Sequence, residues 1–295
     1  MRGKAFSKKK KDIMSKFKPR NRPNYVLQDD EDVVFSAAFR ARIPLILKGP
    51  TGCGKTRFIE NMAYRLSLPL VTVSCHEDLT AADLVGRFLF KDNETIWQDG
   101  PLTLAVRHGG ICYLDEIVEA RKDTTVIIHS LTDDRRMLYI DKTGEVLRAH
   151  PDFMMVLSYN PGYQSIVKDL KHSTKQRFAS LNFTHPEVDV ETKIIRSETG
   201  LPEDECRKLA EMGSKIRQLK GFGLDEGVSS RLLVYVARLM KCGLEPVKAT
   251  LHAVSQTLAD ETAILESVQD IAKLYFGNIM KEPGNAQNKA GKNRE

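Results

Sequence analysis

The sequence predicts an α/β fold, with a parallel sheet sandwiched by helices, followed by a small all-α domain. Over the first 185 residues, apolar runs without alternation at 43–47, 70–74, 111–114 and 153–158 are separated by helix-like segments. Runs of this kind are typical of strands that are covered on both faces. After Pro186 these runs stop, and segments with helical spacing and Gly at several ends continue to the C-terminal region.

The first segment of the chain is strongly basic. Residues 1–22 hold ten Lys/Arg and one Asp, whereas the whole 295-residue chain has a net charge of only +6, so the rest is mildly acidic. Proteins that track nucleic acid normally carry positive charge on the folded surface, so we expect no nucleic-acid partner. We interpret residues 1–24 as a solvated, disordered leader; contact with phosphates or an anionic membrane is the alternative.

Helix and hairpin patterns divide the remaining chain. Residues 29–42 have helical spacing with acids in the first turn. Residues 87–100 and 135–150 alternate with period two and predict β-hairpin insertions, the second turning at 142–144. We predict an α/β domain at 25–185, a helical domain at 186–278 and a polar, disordered tail at 279–295.

Other composition features concern the cellular setting. No apolar stretch approaches the length of a membrane span, and the first residues lack a signal-peptide core. The five cysteines are isolated, which argues against a disulfide framework and a zinc knuckle. We therefore expect a cytoplasmic protein with reduced thiols and no stable membrane insertion.

GPTGCGKT at 49–56 fits the phosphate-binding pattern G-x-x-x-x-G-K-[ST] and stands between an apolar strand and a helix. Backbone N–H groups of such a loop cradle phosphates, the lysine reaches the β and γ phosphates, and the hydroxyl binds Mg²⁺. The pattern predicts a site for ATP and Mg built from Gly49, Pro50, Thr51, Gly52, Cys53, Gly54, Lys55 and Thr56.

Asp115 and Glu116 follow the apolar run ICYL. Adjacent carboxylates at the end of a buried strand repel each other unless they serve a cation or a water. We interpret Asp115 as the residue that holds Mg²⁺ through water and Glu116 as the base that polarises the attacking water. An acidic helix cap would explain one of the two acids.

Two further polar residues have two interpretations each. Asn160 stands where the strand that contains FMMVLS stops and is predicted to orient the attacking water, although Asn-Pro-Gly is also a good turn. Arg231 opens a helix behind Ser229 and Ser230, which could cap it. Arg231 is predicted to contact the γ phosphate, and a solvated surface arginine is the alternative.

With these residues in place, the chain from about Tyr25 to Phe276 resembles MoxR-type AAA+ ATPases, in particular the CbbQ/NorQ group. The phrases that carry the resemblance are LKGPTGCGKTRFIE, CHEDLTAADLVGRF, WQDGPLTLAVRHGGICYLDEIVEARKDTT, HPDFMMVLSYNPGYQSIVKDLKHSTKQRF and LKGFGLDEGVSSRLLVYVARL. The lysine-rich leader departs from the group's pattern and could add a binding function.

The resemblance implies a homo-hexameric ring with ATP between subunits, and it assigns roles. Asn160 matches the first sensor, Arg231 the second, and Arg177 the arginine finger that reaches the neighbouring subunit's γ phosphate. Arg177 also has no evident partner nearby in the sequence, and Arg135 and Arg136 are reserve candidates for the trans contact.

The resemblance also implies partners: a protein with a von Willebrand factor A domain, and a metalloenzyme client that is either Rubisco or nitric oxide reductase. Gas-vesicle ATPases form a related branch. The hairpins would face the ring pore or client, with Phe88, Phe90 and Trp97 as contacts; these aromatics could equally pin the hairpins to the domain. A nucleic-acid motor and a nucleotide-gated adaptor that does not hydrolyse ATP are the rival classes.

Overall fold

The computed structural model describes residues 13–161, 170–219, 224 and 227–277. The chain separates into two compact units, Met1–Val190 and Glu191–Glu295. This division falls five residues after the boundary that we predicted at 185/186. The predicted leader up to residue 12 and the predicted tail at 279–295 lie outside the described residues.

The first unit is built on a five-stranded parallel sheet in the order β2-β5-β8-β1-β9. Two antiparallel pairs, β3-β4 and β6-β7, form separate hairpins at the predicted insertions. The strands are β1 (Leu45–Lys48), β2 (Leu70–Ser74), β3 (Gly86–Lys91), β4 (Glu94–Asp99), β5 (Gly110–Asp115), β6 (Met137–Ile140), β7 (Glu145–Arg148), β8 (Phe153–Tyr159) and β9 (Ala179–Asn182).

Helices cover both faces of this sheet, which confirms the predicted α/β class. In β5, Ile111 and Tyr113 pack on the face that holds Phe58, whereas Cys112 and Leu114 pack on the opposite face. The helices of this unit are α1 (Glu31–Ala41), α2 (Lys55–Arg65), α3 (Ala81–Val85), α4 (Pro101–His108), α5 (Lys122–Ile127) and α6 (His172–Lys175).

Part of the predicted leader belongs to the folded unit. Met14 is buried and Phe17 packs beside it against the core cluster on one face of the sheet. The carbonyl of Phe17 also accepts the N–H of Leu70 at 2.9 Å, at the start of β2. The assignment of residues 13–24 to a disordered leader was therefore wrong. The lysines around Met14 and Phe17 made the segment resemble a solvated one, although both apolar side chains pack on the core.

The second unit is helical. Its elements are α7 (Val188–Thr199, which begins in the first unit), α8 (Glu203–Arg217), α9 (Ser230–Lys241), α10 (Pro246–Thr250), a π-helical segment at Leu251–Ser255, α11 (Gln256–Leu258) and α12 (Thr262–Phe276). Glu191 is fully buried and accepts Nη1 and Nη2 of Arg217 and the hydroxyl of Ser230. This network ties α7, α8 and α9 together. Within the described residues, none of the helices has the length and apolarity needed to cross a bilayer.

Candidate functional site

The phosphate-binding loop at 49–56 connects β1 to α2, as the sequence predicts. A Cβ on Gly49 would lie 2.4 Å from the carbonyl oxygen of Phe183, so only glycine allows this approach. Gly54 has φ +103° and caps α2, a conformation that suits glycine. The loop thus turns the N-terminus of an 11-residue helix toward the end of β1, where backbone N–H groups favour an anion.

Lys55, the first residue of α2, lies inside the loop. Its side chain is almost fully buried, and Nζ donates to the carbonyl oxygens of Gly49 at 2.7 Å and Pro50 at 3.0 Å. An ammonium group held among these carbonyls is a fixed positive charge at the helix N-terminus. The loop therefore combines a cation with the N–H groups of a helix N-terminus, the donor set that a polyphosphate requires.

Asp115 ends β5, beside the loop. Its Oδ2 accepts the Thr56 hydroxyl at 3.4 Å, so the residues predicted to hold magnesium face each other. Its Oδ1 accepts two hydroxyls, from Tyr113 at 2.8 Å and from Ser158. The hydroxyl and carboxylate oxygens are hard ligands, and magnesium uses few protein ligands besides waters and substrate phosphates. This donor set fits Mg²⁺–ATP.

Glu116 follows in a left-handed backbone conformation, with φ +53°. Its N–H donates to Ser158 Oγ at 3.2 Å. Burial is the largest cause that raises the pKa of its carboxyl group; Lys55 lowers it and Asp115 raises it further. A carboxyl group with a raised pKa is a stronger proton acceptor when ionised, which suits a group that activates water.

Asn160, the residue after β8, is buried at the same edge of the sheet. Its Nδ2 donates to Thr51 Oγ1 of the loop at 3.4 Å. Its backbone N–H also favours the ionised form of Glu116 and lowers that residue's pKa. The carboxyl ends of β1, β5 and β8 thus bring the loop, the two acids and Asn160 together, as expected for parallel strands.

The position of Arg177 corrects one premise of the sequence analysis. Arg177 does have partners in its own chain: Nη1 lies 3.2 Å from the carbonyl oxygen of His129 and 3.4 Å from Asp133 Oδ2. It stands two residues before β9, whose first residue pairs with Leu45 at the start of β1. Arg177 therefore lies at the end of the sheet opposite its own phosphate-binding loop.

The two reserve arginines differ in what they bind. Arg135 donates Nε and Nη2 to Asp133 Oδ2, on the same carboxylate that Arg177 contacts, and its side chain is 60% exposed. Arg136 donates to the carbonyl oxygens of Arg42 and Phe153, and burial lowers its pKa. Arg136 thus braces the backbone, which makes it a poorer candidate for a contact with another subunit.

Arg231 is the second residue of α9 in the helical unit. It is exposed, and its side chain makes no hydrogen bond or ion pair with any residue that the structure describes. The Ser229 hydroxyl accepts the N–H of Leu232 at 3.4 Å and caps the helix, as predicted. Ser230 instead donates to the buried Glu191 and fixes the helix start from inside.

The aromatic residues of the first hairpin fall into two groups. Trp97 is partly buried, packs against the core and donates Nε1 to Asp99 Oδ1 at 2.8 Å. Phe90 is 75% exposed and Phe88 47% exposed. Trp97 therefore pins the hairpin, whereas the two phenylalanines remain predicted contact residues.

Comparison with known proteins places this geometry in a family. Residues 44–178 match the family described as AAA domain (dynein-related subfamily), and residues 191–275 match CbbQ/NirQ/NorQ C-terminal. The chain is 53% identical to Protein CbbQ of Hydrogenophilus thermoluteolus, over 90% of this chain and 99% of that one. The chain belongs to the CbbQ/NirQ/NorQ family of MoxR-type AAA+ ATPases.

Other members of the CbbQ/NirQ/NorQ family agree. Protein NorQ of Paracoccus denitrificans is 54% identical, over 86% of this chain and 94% of that one. The denitrification regulatory protein NirQ of Pseudomonas aeruginosa is 51% identical, over 86% and 97%. A mutant RuvB from Thermotoga maritima has a similar fold, with a TM-score of 0.53 at 15% identity, covering 86% of this chain and 73% of that one.

Two residues of this AAA+ site were not predicted from the sequence. Tyr113 and Ser158 stand within apolar runs and were counted with the strands, yet both hydroxyls bind Asp115. A hydroxyl near the carboxyl end of a buried strand is the signal that could have identified them, since buried hydroxyls need a partner.

Proposed function

We propose that this protein hydrolyses Mg²⁺–ATP in a homo-hexameric ring and uses the energy to remodel a client metalloenzyme, together with a protein that carries a von Willebrand factor A domain. The observation that carries the ATPase part is the convergence of Lys55, Asp115, Glu116 and Asn160 at one edge of the sheet. When bound, magnesium neutralises phosphate charge. Thr56 and Asp115 would hold it, and Glu116 would take a proton from the attacking water.

The Glu116→Gln variant tests this function. Without the water-activating carboxylate, the variant should keep ATP affinity, lose hydrolysis by on the order of 10² to 10⁴-fold and trap ATP. The exposed Glu266→Gln in α12 is a matched control that should hydrolyse ATP normally. Equal hydrolysis by Glu116→Gln and the native protein would contradict the assignment.

The pKa of Glu116 makes a second prediction about the same site. The base must be ionised, and burial raises its pKa above the ordinary value of about 4.3. The acid limb of the kcat/KM profile, which reports the free enzyme, should therefore fall as pH decreases through this raised pKa, at a higher pH than an exposed glutamate would give. A flat profile down to pH 4.3 would contradict that role.

We propose that Arg177 contacts the γ phosphate of the ATP bound by a neighbouring subunit, and its position in the sheet supports a ring. The strand register puts it at the opposite end of β1 from its own loop, a span of about 10 Å along the strand alone. Arg177→Ala and Lys55→Ala subunits should each be inactive but regain activity on mixing, because some interfaces then pair two intact halves. Arg238→Ala, an exposed arginine of α9, is the control. Lack of recovery in confirmed rings would count against the trans role.

The family members named CbbQ and NorQ support Rubisco or nitric oxide reductase as the client. The exposed Phe88 and Phe90 are proposed to contact it. Affinity capture with the ATP-trapping Glu116→Gln protein, compared with Glu116→Gln carrying Phe90→Ala, tests both points. Capture of neither enzyme would refute the client assignment, and equal capture by the two proteins would refute the role of Phe90.

A further inference from the structure

We propose that Ser158 and Tyr113 are positioning residues that set the magnesium-binding orientation of Asp115, and that Ser158 also fixes Glu116. The inference rests on the proposed ATPase function and adds two residues to it. Both side chains are fully buried, and both hydroxyls donate to the same oxygen, Asp115 Oδ1.

The contacts divide the two oxygens of Asp115 between separate tasks. Oδ1 is occupied by the hydroxyls of Tyr113 and Ser158, whereas Oδ2 is the atom that faces Thr56 at 3.4 Å. The terminal torsion of an aspartate side chain is soft, so an unrestrained carboxylate samples many orientations. Two donors on one oxygen fix the plane of the group and keep the other oxygen toward the metal side.

Ser158 has a second contact that Tyr113 lacks. Its Oγ accepts the N–H of Glu116 at 3.2 Å while its own hydroxyl proton goes to Asp115. Glu116 has a left-handed backbone, which a non-glycine residue adopts only with support from its surroundings. One hydroxyl on β8 thus links the carboxylate that would bind the metal to the backbone of the residue that would activate water.

The strands place these hydroxyls where the site needs them. β5 and β8 are paired up to Leu114 and Leu157, so Asp115 and Ser158 are the next residues on neighbouring strands. Tyr113 lies two residues before Asp115 on the same face of β5, and its hydroxyl also lies 3.4 Å from Thr56 Oγ1. The arrangement joins the ends of β5 and β8 to Thr56, the second residue of α2.

The test uses the full-length protein and a fluorescent ATP analogue, with dissociation constants measured in magnesium and in EDTA. In the native protein, magnesium should tighten binding. In Ser158→Ala and in Tyr113→Phe, this magnesium-dependent tightening should fall by about 10-fold or more, because residues that orient a metal ligand typically contribute 10 to 100-fold to metal affinity. Affinity in EDTA should stay unchanged, since the phosphate-binding loop is intact.

ATP hydrolysis separates the two residues. At saturating magnesium, Ser158→Ala should hydrolyse ATP more slowly than Tyr113→Phe, because only in Ser158→Ala has Glu116 lost the acceptor of its N–H. Matched controls in the helical unit are Tyr235→Phe, whose side chain is exposed, and Ser255→Ala, whose buried hydroxyl has no partner among the described residues. Both controls should retain the native magnesium dependence.

Three results would overturn the inference. The first is that magnesium tightens binding of the ATP analogue in Ser158→Ala and Tyr113→Phe by a factor within twofold of that in the native protein. That result would show that the hydroxyls do not orient the metal ligand. Equal losses in magnesium and in EDTA would indicate general damage to the loop. A native protein that binds no ATP in either condition would refute the proposed function, and this inference with it.

Discussion

Glu145 in the second hairpin should stabilise the first hairpin, because Arg107 of α4 binds an acidic residue in each hairpin. Arg107 donates Nη1 and Nη2 to the carboxylate of Glu145 at 2.6 and 2.7 Å, and Nε to Asp99 Oδ2 at 2.9 Å. Asp99 ends β4 and accepts the indole N–H of Trp97. We therefore expect Glu145→Gln, a change in one hairpin, to weaken the attachment of Trp97 in the other.

Side-chain exposure sets the magnitude. Arg107 is 24% exposed and Glu145 38%, so solvent screens their pair, and the scale for exposed ion pairs, about 0.2–1 kcal/mol, applies. The bidentate geometry favours the upper end, about 1 kcal/mol. With a urea slope of about 2 kcal/mol per M, the midpoint should fall by about 0.5 M. Arg107→Ala also breaks the less exposed Asp99 pair and should cost about 2–3 kcal/mol.

The chain supplies its own probe, because Trp97 is the only tryptophan. Urea unfolding followed by its fluorescence should be measured for Glu145→Gln, Arg107→Ala, the double variant and the native protein. In the Arg107→Ala background, Glu145→Gln should have no further effect. Glu94→Gln, an exposed acid on the first hairpin, is the control. The connection through Arg107 would be refuted if Glu145→Gln lowered the urea midpoint equally in the native and Arg107→Ala proteins. It would also be refuted if Glu145→Gln left the unfolding reported by Trp97 fluorescence unchanged.

The pH dependence offers an independent arm of this experiment. The hydrogen bonds from Arg107 hold the pKa of Glu145 below its ordinary value, which is about 4.3. The stabilisation is therefore fully present above that value and is lost as pH falls through the lowered pKa. This acid-dependent loss should be absent from Glu145→Gln.

Two further predictions concern stability. Removal of residues 1–22 should lower the free energy of unfolding of the α/β unit by about 2–3 kcal/mol relative to removal of residues 1–12, because buried Met14 is lost; equal melting of both truncations would contradict this. Glu191→Gln should destabilise the helical unit by about 3 kcal/mol, since it leaves the guanidinium of Arg217 without a charged partner, and a denaturation midpoint unchanged from that of the Glu266→Gln control would contradict it.

The features that are local in the sequence could be predicted from it. The apolar runs of β1, β5 and β8 lack alternation because both faces of these strands are buried, as Ile111 and Cys112 show by packing on opposite sides. The edge strand β2 was predictable although one of its faces is partly exposed. The loop at 49–56 was predictable because its chemistry depends on adjacent residues. The two hairpins were predictable because period-two patterns end at turn residues.

The features that depend on distant contacts could not be predicted. Ser158 and Asp115 are 43 positions apart, and Arg177 and Asp133 are 44 apart, so only the folded sheet shows that they meet. The burial of Met14 could not be predicted for a different reason. Charge dominates the composition of its segment, and one buried side chain does not alter that average. Composition describes how a segment interacts with water on average, whereas burial of a single side chain depends on what folds against it.

The contacts that Arg177 makes within its own chain strengthen its proposed role. A long side chain without local contacts would have to lose its rotamer freedom on reaching a neighbouring phosphate. In the structure, Nη1 is already held by the carbonyl oxygen of His129 and by Asp133, and among the described residues the N–H groups of Nη2 and Nε keep no partner. A guanidinium has five N–H donors in a rigid fork, so one edge can be fixed while another binds phosphate. Asp133 would thus orient the arginine for the proposed contact with the ATP of a neighbouring subunit.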